Sequence, residues 1–386
     1  MTDIHGQVAP GYEAVRDAFA DNFAHHGEVG AAFSLYVAGA PVVDIWGGQA
    51  GESAWQEDTL QLVFSTTKGA SAICANLLAQ RGQLDFDAPV TTYWPEFAAA
   101  GKGEVPVRWL LCHKVGLPTI DAKLSFEEVL AVTPVVEALA AQAPFWEPGT
   151  KHGYHAVTYG WLVGEVVRRI TGQSIGQFFA SEIAAPLGLE FWIGLPESEE
   201  HRVAPLRAAP VPDDPELRAL MESVMGGDAL IGRALTLNGA LSGSGEADMG
   251  GLFNRRDIHA TEMPAANGIT TARSLARLYA ACVGPVDGVQ ILTPDTVAAA
   301  TKEQSFGPDE VLMVESRFGT GFMLNGTLTP MLSETSFGHA GAGGSLGFGD
   351  ADAGIGFGYV MCQMGDALTG DPRATNLVEA TRACLR

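Results

Sequence analysis

A chain of 386 residues exceeds what one hydrophobic core ordinarily supports, and 47% hydrophobic with 18% charged residues describes a globular protein in two lobes. No apolar run approaches the ~20 residues of a membrane span, and Met1 to His5 lacks the basic segment and apolar core of a secretory signal, so a cytoplasmic protein with no membrane partner is expected. A formal net charge of −22 argues against nucleic acid and leaves small, largely neutral molecules as partners.

Residues 12–26 place Tyr12, Val15, Phe19 and Phe23 at helical spacing. Ala31 to Val37 and Pro41 to Trp46 read as strands about a turn at Gly39, with Gly47-Gly48 ending the second. The apolar run Leu60 to Phe64 leads into Ser65-Thr66-Thr67-Lys68-Gly69. Ala70, Ile73, Cys74, Leu77 and Leu78 then line one face of a helix stopped by Gly82. Helix signals dominate after Pro89: a short helix at Val107 to Leu111, a capping box at Ser125-x-x-Glu128, an N-cap with proline at Thr133-Pro134, and a longer helix at Tyr159 to Ile170. Gly226 to Gly251 reads as a long glycine-rich loop that could close over a site. Asn267-Gly268 reads as a turn before a helix carrying Leu275, Leu278 and Tyr279. Gly319 to Leu324, Ser336 to His339, Gly344 to Phe348 and Gly354 to Cys362 read as short strands, and Val378 to Leu385 as a closing helix. Strands at both ends with helices between predict an α/β (α+β) fold. Residues 1–84 and 265–386 would form the sheet domain, and residues 85–264 a mostly helical domain with active-site loops.

The five cysteines are odd in number, scattered and without C-x-x-C, so reduced thiols are expected. The histidines lack zinc-site spacing, and His152-x-x-His155 alone is too little, so no metal or other cofactor is expected. Ser65 and Lys68 share a face of the helix start at i, i+3. A serine hydroxyl is a poor nucleophile without an adjacent base, and lysine becomes one only when its environment lowers its pKa. The helix N-terminus favours negative charge developing at Ser65. Taken alone, S-x-x-K also fits a Ser/Thr-rich helix start followed by a solvated lysine.

Two further stretches bear on that choice. Glu147-Pro148-Gly149-Thr150 runs into His152-Gly153-Tyr154-His155-Ala156, and Gly338-His339-Ala340-Gly341 opens a glycine-dense strand. With Ser65-x-x-Lys68, their order and separations resemble the serine β-lactamase and penicillin-binding protein superfamily, specifically its class C β-lactamase-like esterases, the family VIII carboxylesterases. Asp44-Ile45-Trp46-Gly47-Gly48, Leu110-Leu111-Cys112-His113 with Gly116-Leu117-Pro118, and Pro264-Ala265-Ala266-Asn267-Gly268 extend the resemblance over most of the chain.

The resemblance implies a mainly antiparallel sheet flanked by helices, and a serine carboxylesterase acting on small esters without a cofactor. Ser65 would be acylated, with Lys68 and Tyr154 handling protons. A phenol with an ordinary pKa of about 10 would need a cation such as Lys68 to lower it for base work. The backbone N–H groups of Ser65 and Ala342 would form the oxyanion hole. Gly341, His339 and His155 would contact substrate or wall the pocket, His339 alternatively supporting the Tyr154–Lys68 pair. Two positions depart from the pattern: Ala156 replaces the asparagine of Y-x-N, and His339 the lysine of K-T-G. A largely neutral imidazole weakens any fixed cation for a carboxylate and favours esters over β-lactams. β-Lactamase, D-amino-acid peptidase and acyltransferase activities share the acyl-enzyme chemistry, and a non-catalytic binding module is a further alternative.

Two G-x-S-x-G patterns, around Ser174 and Ser345, suggest an α/β-hydrolase instead. That fold needs serine, acid and histidine in chain order, and no histidine follows Ser345. Ser174-x-x-Gln177 reads as a helix capping box. His113 reads as a partner for the last carbonyls of its helix.

Overall fold

The computed structural model describes residues 2–210, 226, 229–242, 249–366 and 369–385. A ten-stranded antiparallel sheet dominates. Its strands are β1 (Ile4–Val8), β2 (Gly30–Val37), β3 (Ala40–Ala50), β4 (Ser53–Ala54), β8 (Ser305–Pro308), β9 (Glu315–Phe318), β10 (Met323–Leu324), β11 (Ser336–Ala340), β12 (Leu346–Asp350) and β13 (Ile355–Met361). The order is β1-β3-β2-β13-β12-β11-β10-β9-β8, with β4 paired to β3. The first and last parts of the chain therefore meet at β2–β13, where Phe33 faces Tyr359 and Leu35 faces Phe357. A second, three-stranded sheet joins β5 (Gln61–Leu62), β7 (Ile269–Thr270) and β6 (Phe191–Trp192), in that order.

The helix Ala272–Val283 packs on β13, β2 and β12. The glycines of these strands make that approach possible. A Cβ on Gly356 would stand 2.1 Å from Ala276 O, and one on Gly358 2.4 Å from Ala272 O, so any side chain there would push the helix away. The helices Glu13–His25 and Pro372–Cys384 pack together, the Asn376 amide donating to Ala18 O at 3.1 Å. The helix Thr67–Gln80 is buried along nearly its whole length and crosses Thr158–Thr171. Its Gly69 lies where a Cβ would meet the Tyr279 hydroxyl at 1.9 Å, so this helix is also pinned close to Ala272–Val283.

Several sequence expectations shift. β3 continues past Gly47-Gly48 to Ala50, because Gly48 at φ +81° bends the strand without ending it. β1, β8 and β9 carry no clear apolar alternation; each is short and lies at or near a sheet edge. Thr133 is already helical, after Val132 at φ +64°. The closing helix starts at Pro372, six residues before the apolar Val378, with Asp371 as its N-cap. The expected loop over 226–251 contains a helix at Leu230–Thr236, seated by buried Ile231 and Ala234. Residues 227–228 and 243–248 of that stretch lie outside the described residues. Among the described residues, no helix is long and apolar enough to cross a membrane.

Candidate active site

The turn before the helix Thr67–Gln80 is tightly specified. β5 feeds into Phe64, a non-glycine residue held at φ +44°, and Ser65 follows in the lining of a cavity. Thr67 Oγ1 donates to Phe64 O at 2.5 Å and accepts from the Gly268 N–H at 2.8 Å. On the other flank, Ser345 Oγ donates to Val63 O at 2.9 Å and contacts Thr66 Oγ1 at 3.0 Å. Ser345 thus braces the turn from a buried position. Ser174 caps its helix in a box with Gln177 and donates to Glu262 at 2.5 Å, so the G-x-S-x-G pattern around Ser174 is a helix start.

Lys68 is fully buried, and that desolvation holds its amine well below the ordinary lysine range. Nζ has three partners: Ala156 O at 2.6 Å, Ala265 O at 3.0 Å and Ser65 Oγ at 3.0 Å. Two are carbonyls that can only accept, and the third is a hydroxyl that can donate. An ammonium satisfies this set by donating to all three, and a neutral amine satisfies it equally, with both hydrogens on the carbonyls and its lone pair toward Ser65 O–H.

The Tyr154 ring centroid is 4.8 Å from Lys68 Nζ. Burial pushes the Tyr154 phenol up, opposed by a hydrogen bond with Ser65 and reinforced by Asp309. The lowering that base work by this phenol would need is therefore absent, because burial outweighs it and keeps Tyr154 protonated beside Ser65.

A cavity of about 340 Å³ opens on Ser65, Tyr154 and Ala342, walled mainly by Ile231, Leu235, Val311, Leu312, Met323 and Leu328. Among the described residues, the N–H groups of Ser65 and Ala342 have no hydrogen-bond acceptor. Asp366 is the one charged side chain in the described lining.

Three residues expected to contact substrate, wall the pocket or support the Tyr154–Lys68 pair do not line this cavity. His155 is 0% exposed, its Nε2 accepts from the Leu117 N–H at 2.9 Å, and its Nδ1 pairs with Gly153 O at 2.6 Å, so neither nitrogen is free. Gly341 turns its Cβ direction onto Val63 O and Ser345 Oγ, each 2.2 Å from where a Cβ would sit; it allows strand and turn to touch and does not line the cavity. His339 is buried off the cavity wall, its ring 6.0 Å from that of Tyr154. Its Nδ1 pairs with Ala340 O at 2.7 Å, and Nε2 has no partner among the described residues. Burial, with Lys68 nearby, holds this imidazole down at about 3, so it stays neutral.

Of two supporting residues, His113 takes a role other than the one read from sequence, and Asp309 escapes that reading altogether. His113, at φ +63°, packs its ring against Tyr154, Tyr159 and Phe318, and its Nδ1 accepts from the His155 N–H at 3.1 Å; it does not bond the carbonyls of its own helix. Asp309, 2% exposed, accepts from the N–H groups of Tyr154, Val311 and Leu312, each at 2.9 Å. It therefore ties Tyr154 to the loop that walls the cavity. Its one sequence signal is Gly307-Pro308-Asp309, an Asx-type turn. Among the described residues no cluster of metal-ligating side chains occurs.

The Beta-lactamase family profile matches residues 15–382. The chain is 34% identical over 377 residues to the esterase/beta-lactamase LipL of Mycobacterium tuberculosis, covering 92% of this chain and 82% of that protein. It superposes on the crystal structure of a family VIII carboxylesterase with a TM-score of 0.88 and 40% identity, covering 99% of this chain and all of the other. A penicillin-binding protein homologue from Caulobacter crescentus gives a TM-score of 0.86 and 38% identity, with coverage of 99% and 100%.

Proposed function

The chain belongs to the beta-lactamase family, and within it we propose a serine carboxylesterase that hydrolyses small esters through an acyl-enzyme on Ser65. The observation that carries this reading is the 3.0 Å contact between a desolvated Lys68 Nζ and Ser65 Oγ, which lines an apolar cavity. Lys68 takes the Ser65 proton as Oγ attacks the ester carbonyl. The Ser65 and Ala342 N–H groups receive the developing oxyanion, and they need no rearrangement because neither is engaged elsewhere. Tyr154, a neutral phenol, donates its proton to the departing alkoxide and is refilled from protonated Lys68. Water then attacks the acyl-enzyme with Lys68 again taking a proton, which it returns to Ser65 Oγ as the acid leaves.

Ester specificity follows from charge. Neutral His339 and the lone carboxylate of Asp366 offer no cation to the carboxylate of a β-lactam or a peptide terminus. The paired name of LipL makes β-lactam hydrolysis the second reading, expected here at lower efficiency than ester hydrolysis. Five cysteines held as free thiols support a cytoplasmic enzyme.

The test is intact-protein mass spectrometry after a phosphonate ester probe. One adduct on the wild type that disappears in Ser65→Ala supports the assignment. An adduct that persists and maps to Ser174 or Ser345 contradicts it.

A further inference from the structure

The turn carrying Ala342 is gripped from behind by residues outside the cavity. Gly341 N–H closes the turn onto Ser345 O at 2.7 Å. Gly343 O then accepts twice, from the Gly365 N–H at 2.8 Å and from Arg373 Nη2 at 2.7 Å. Arg373 is 2% exposed, near the start of the C-terminal helix, and every one of its side-chain donors is used. Nε and Nη2 pair with the two oxygens of Asp371 at 2.9 and 2.8 Å. Nη1 donates to Gln363 O at 2.8 Å and reaches Glu28 Oε1 at 3.4 Å. Glu28 in turn accepts from the Tyr359 hydroxyl. The fit leaves no room for a side chain on the turn: a Cβ on Gly344 would stand 2.8 Å from Asp371 Oδ2 and 2.9 Å from Arg373 Nη2.

A buried guanidinium among carboxylates can serve simply as an anchor of the fold. Gly343 O connects this one to the chemistry, because it lies one residue beyond the Ala342 N–H. The rigid five-donor fork of arginine meets all the acceptors at once, which a lysine, with three donors on one nitrogen, cannot do. Oxyanion stabilisation depends on donor aim, and hydrogen bonds weaken steeply as their geometry bends.

We infer that Arg373, clamped by Asp371, is a positioning residue for ester hydrolysis: by fixing Gly343 O it aims the Ala342 N–H at the developing oxyanion. The inference rests on the oxyanion-hole reading above. Arg373 never touches substrate, so its contribution falls on the transition state and leaves substrate binding nearly unchanged.

Arg373→Lys and Asp371→Asn, beside wild type and Ser65→Ala, are assayed for kcat and KM on a short-chain aryl ester, below each variant's thermal midpoint. Both clamp variants are expected to lose roughly 10–100-fold in kcat with KM within about twofold, the signature of a transition-state interaction. Phosphonylation of Ser65 should slow by a similar factor, since the phosphonyl oxygen occupies the same hole. A folded clamp variant that keeps kcat within about twofold, or that changes KM alone, overturns the inference. Should Arg373→Lys fail to fold, the isosteric Asp371→Asn decides by the same criterion. Full turnover by Ser65→Ala would remove the nucleophile reading itself, and the positioning role with it.

Discussion

Two lysines in this protein are completely buried, and they are held in opposite ways. Lys102 Nζ meets three carbonyls, Ala99 O at 2.8 Å, Ala140 O at 3.0 Å and Gln142 O at 2.6 Å. Lys68 Nζ meets two carbonyls and the Ser65 hydroxyl. Three acceptors call for three N–H donors, the inventory of an ammonium, whereas two acceptors and a hydroxyl leave place for a lone pair. Burial lowers both pKa values, Lys102 to about 8 and Lys68 well below its ordinary value. Burial therefore does not distinguish the two lysines; the third partner does, since only Lys68 faces a hydroxyl whose proton it could take in the proposed role of base.

The largest effects should divide along that line. Lys68→Met and Ser65→Ala are expected to cut kcat/KM for a short-chain ester by at least ~1000-fold, because each removes one half of a nucleophile–base unit. Lys102→Met should leave kcat/KM within about threefold while costing roughly 2–4 kcal/mol of stability, since three buried carbonyls lose their donor. Ester kinetics with denaturant unfolding check both. A Lys102→Met enzyme that stays equally stable but loses activity would break the comparison.

Tyr154→Phe should come next, with kcat down about 100-fold and KM little changed, as expected for loss of a proton donor used only in the transition state. A leaving group that needs no protonation sharpens the point. With a p-nitrophenyl ester the deficit should shrink relative to an alkyl ester, and an equal deficit on both would argue for a positioning role.

The pH dependence is gentler. In the proposed mechanism Lys68 must be neutral to accept the Ser65 proton, so kcat/KM should fall as pH drops through its depressed pKa. His339 and His155, both held near 3, add no limb around 6.5. For stability both buried lysines act in the same direction, Lys68 being lowered on folding and Lys102 falling to about 8 from 10.5. Between those values the unfolded chain binds more protons, so stability rises with pH there, and Lys102→Met should remove part of that rise.

Much of this site is legible in the sequence because its core is local. Ser65 and Lys68 sit three residues apart on a helix start, and a nearby apolar face fixes which way that helix turns. Tyr154 is found only through its resemblance to a family motif, and nothing in its neighbours foretells the raised pKa, which comes from burial against His113 and Phe318. His155 misleads because the partners of its ring nitrogens include Leu117, 38 residues away in the chain. Gly341 misleads for a different reason: a glycine that admits a neighbouring turn and one that admits a substrate read alike. Asp309 and Arg373 act through backbone groups at remote positions, so their chemistry carries no local signature. The helix Leu230–Thr236 is too short for periodicity to declare it against so many glycines.

The central claim is that Lys68 is uncharged in the resting enzyme. Lysine-selective ¹³Cε NMR titration addresses it, with the Lys68 resonance assigned by its loss in Lys68→Arg and compared with Lys102. The account predicts a Lys68 midpoint well below 10.5 that coincides with the acidic limb of kcat/KM. A midpoint at the ordinary lysine value, or one that titrates apart from activity, would contradict it.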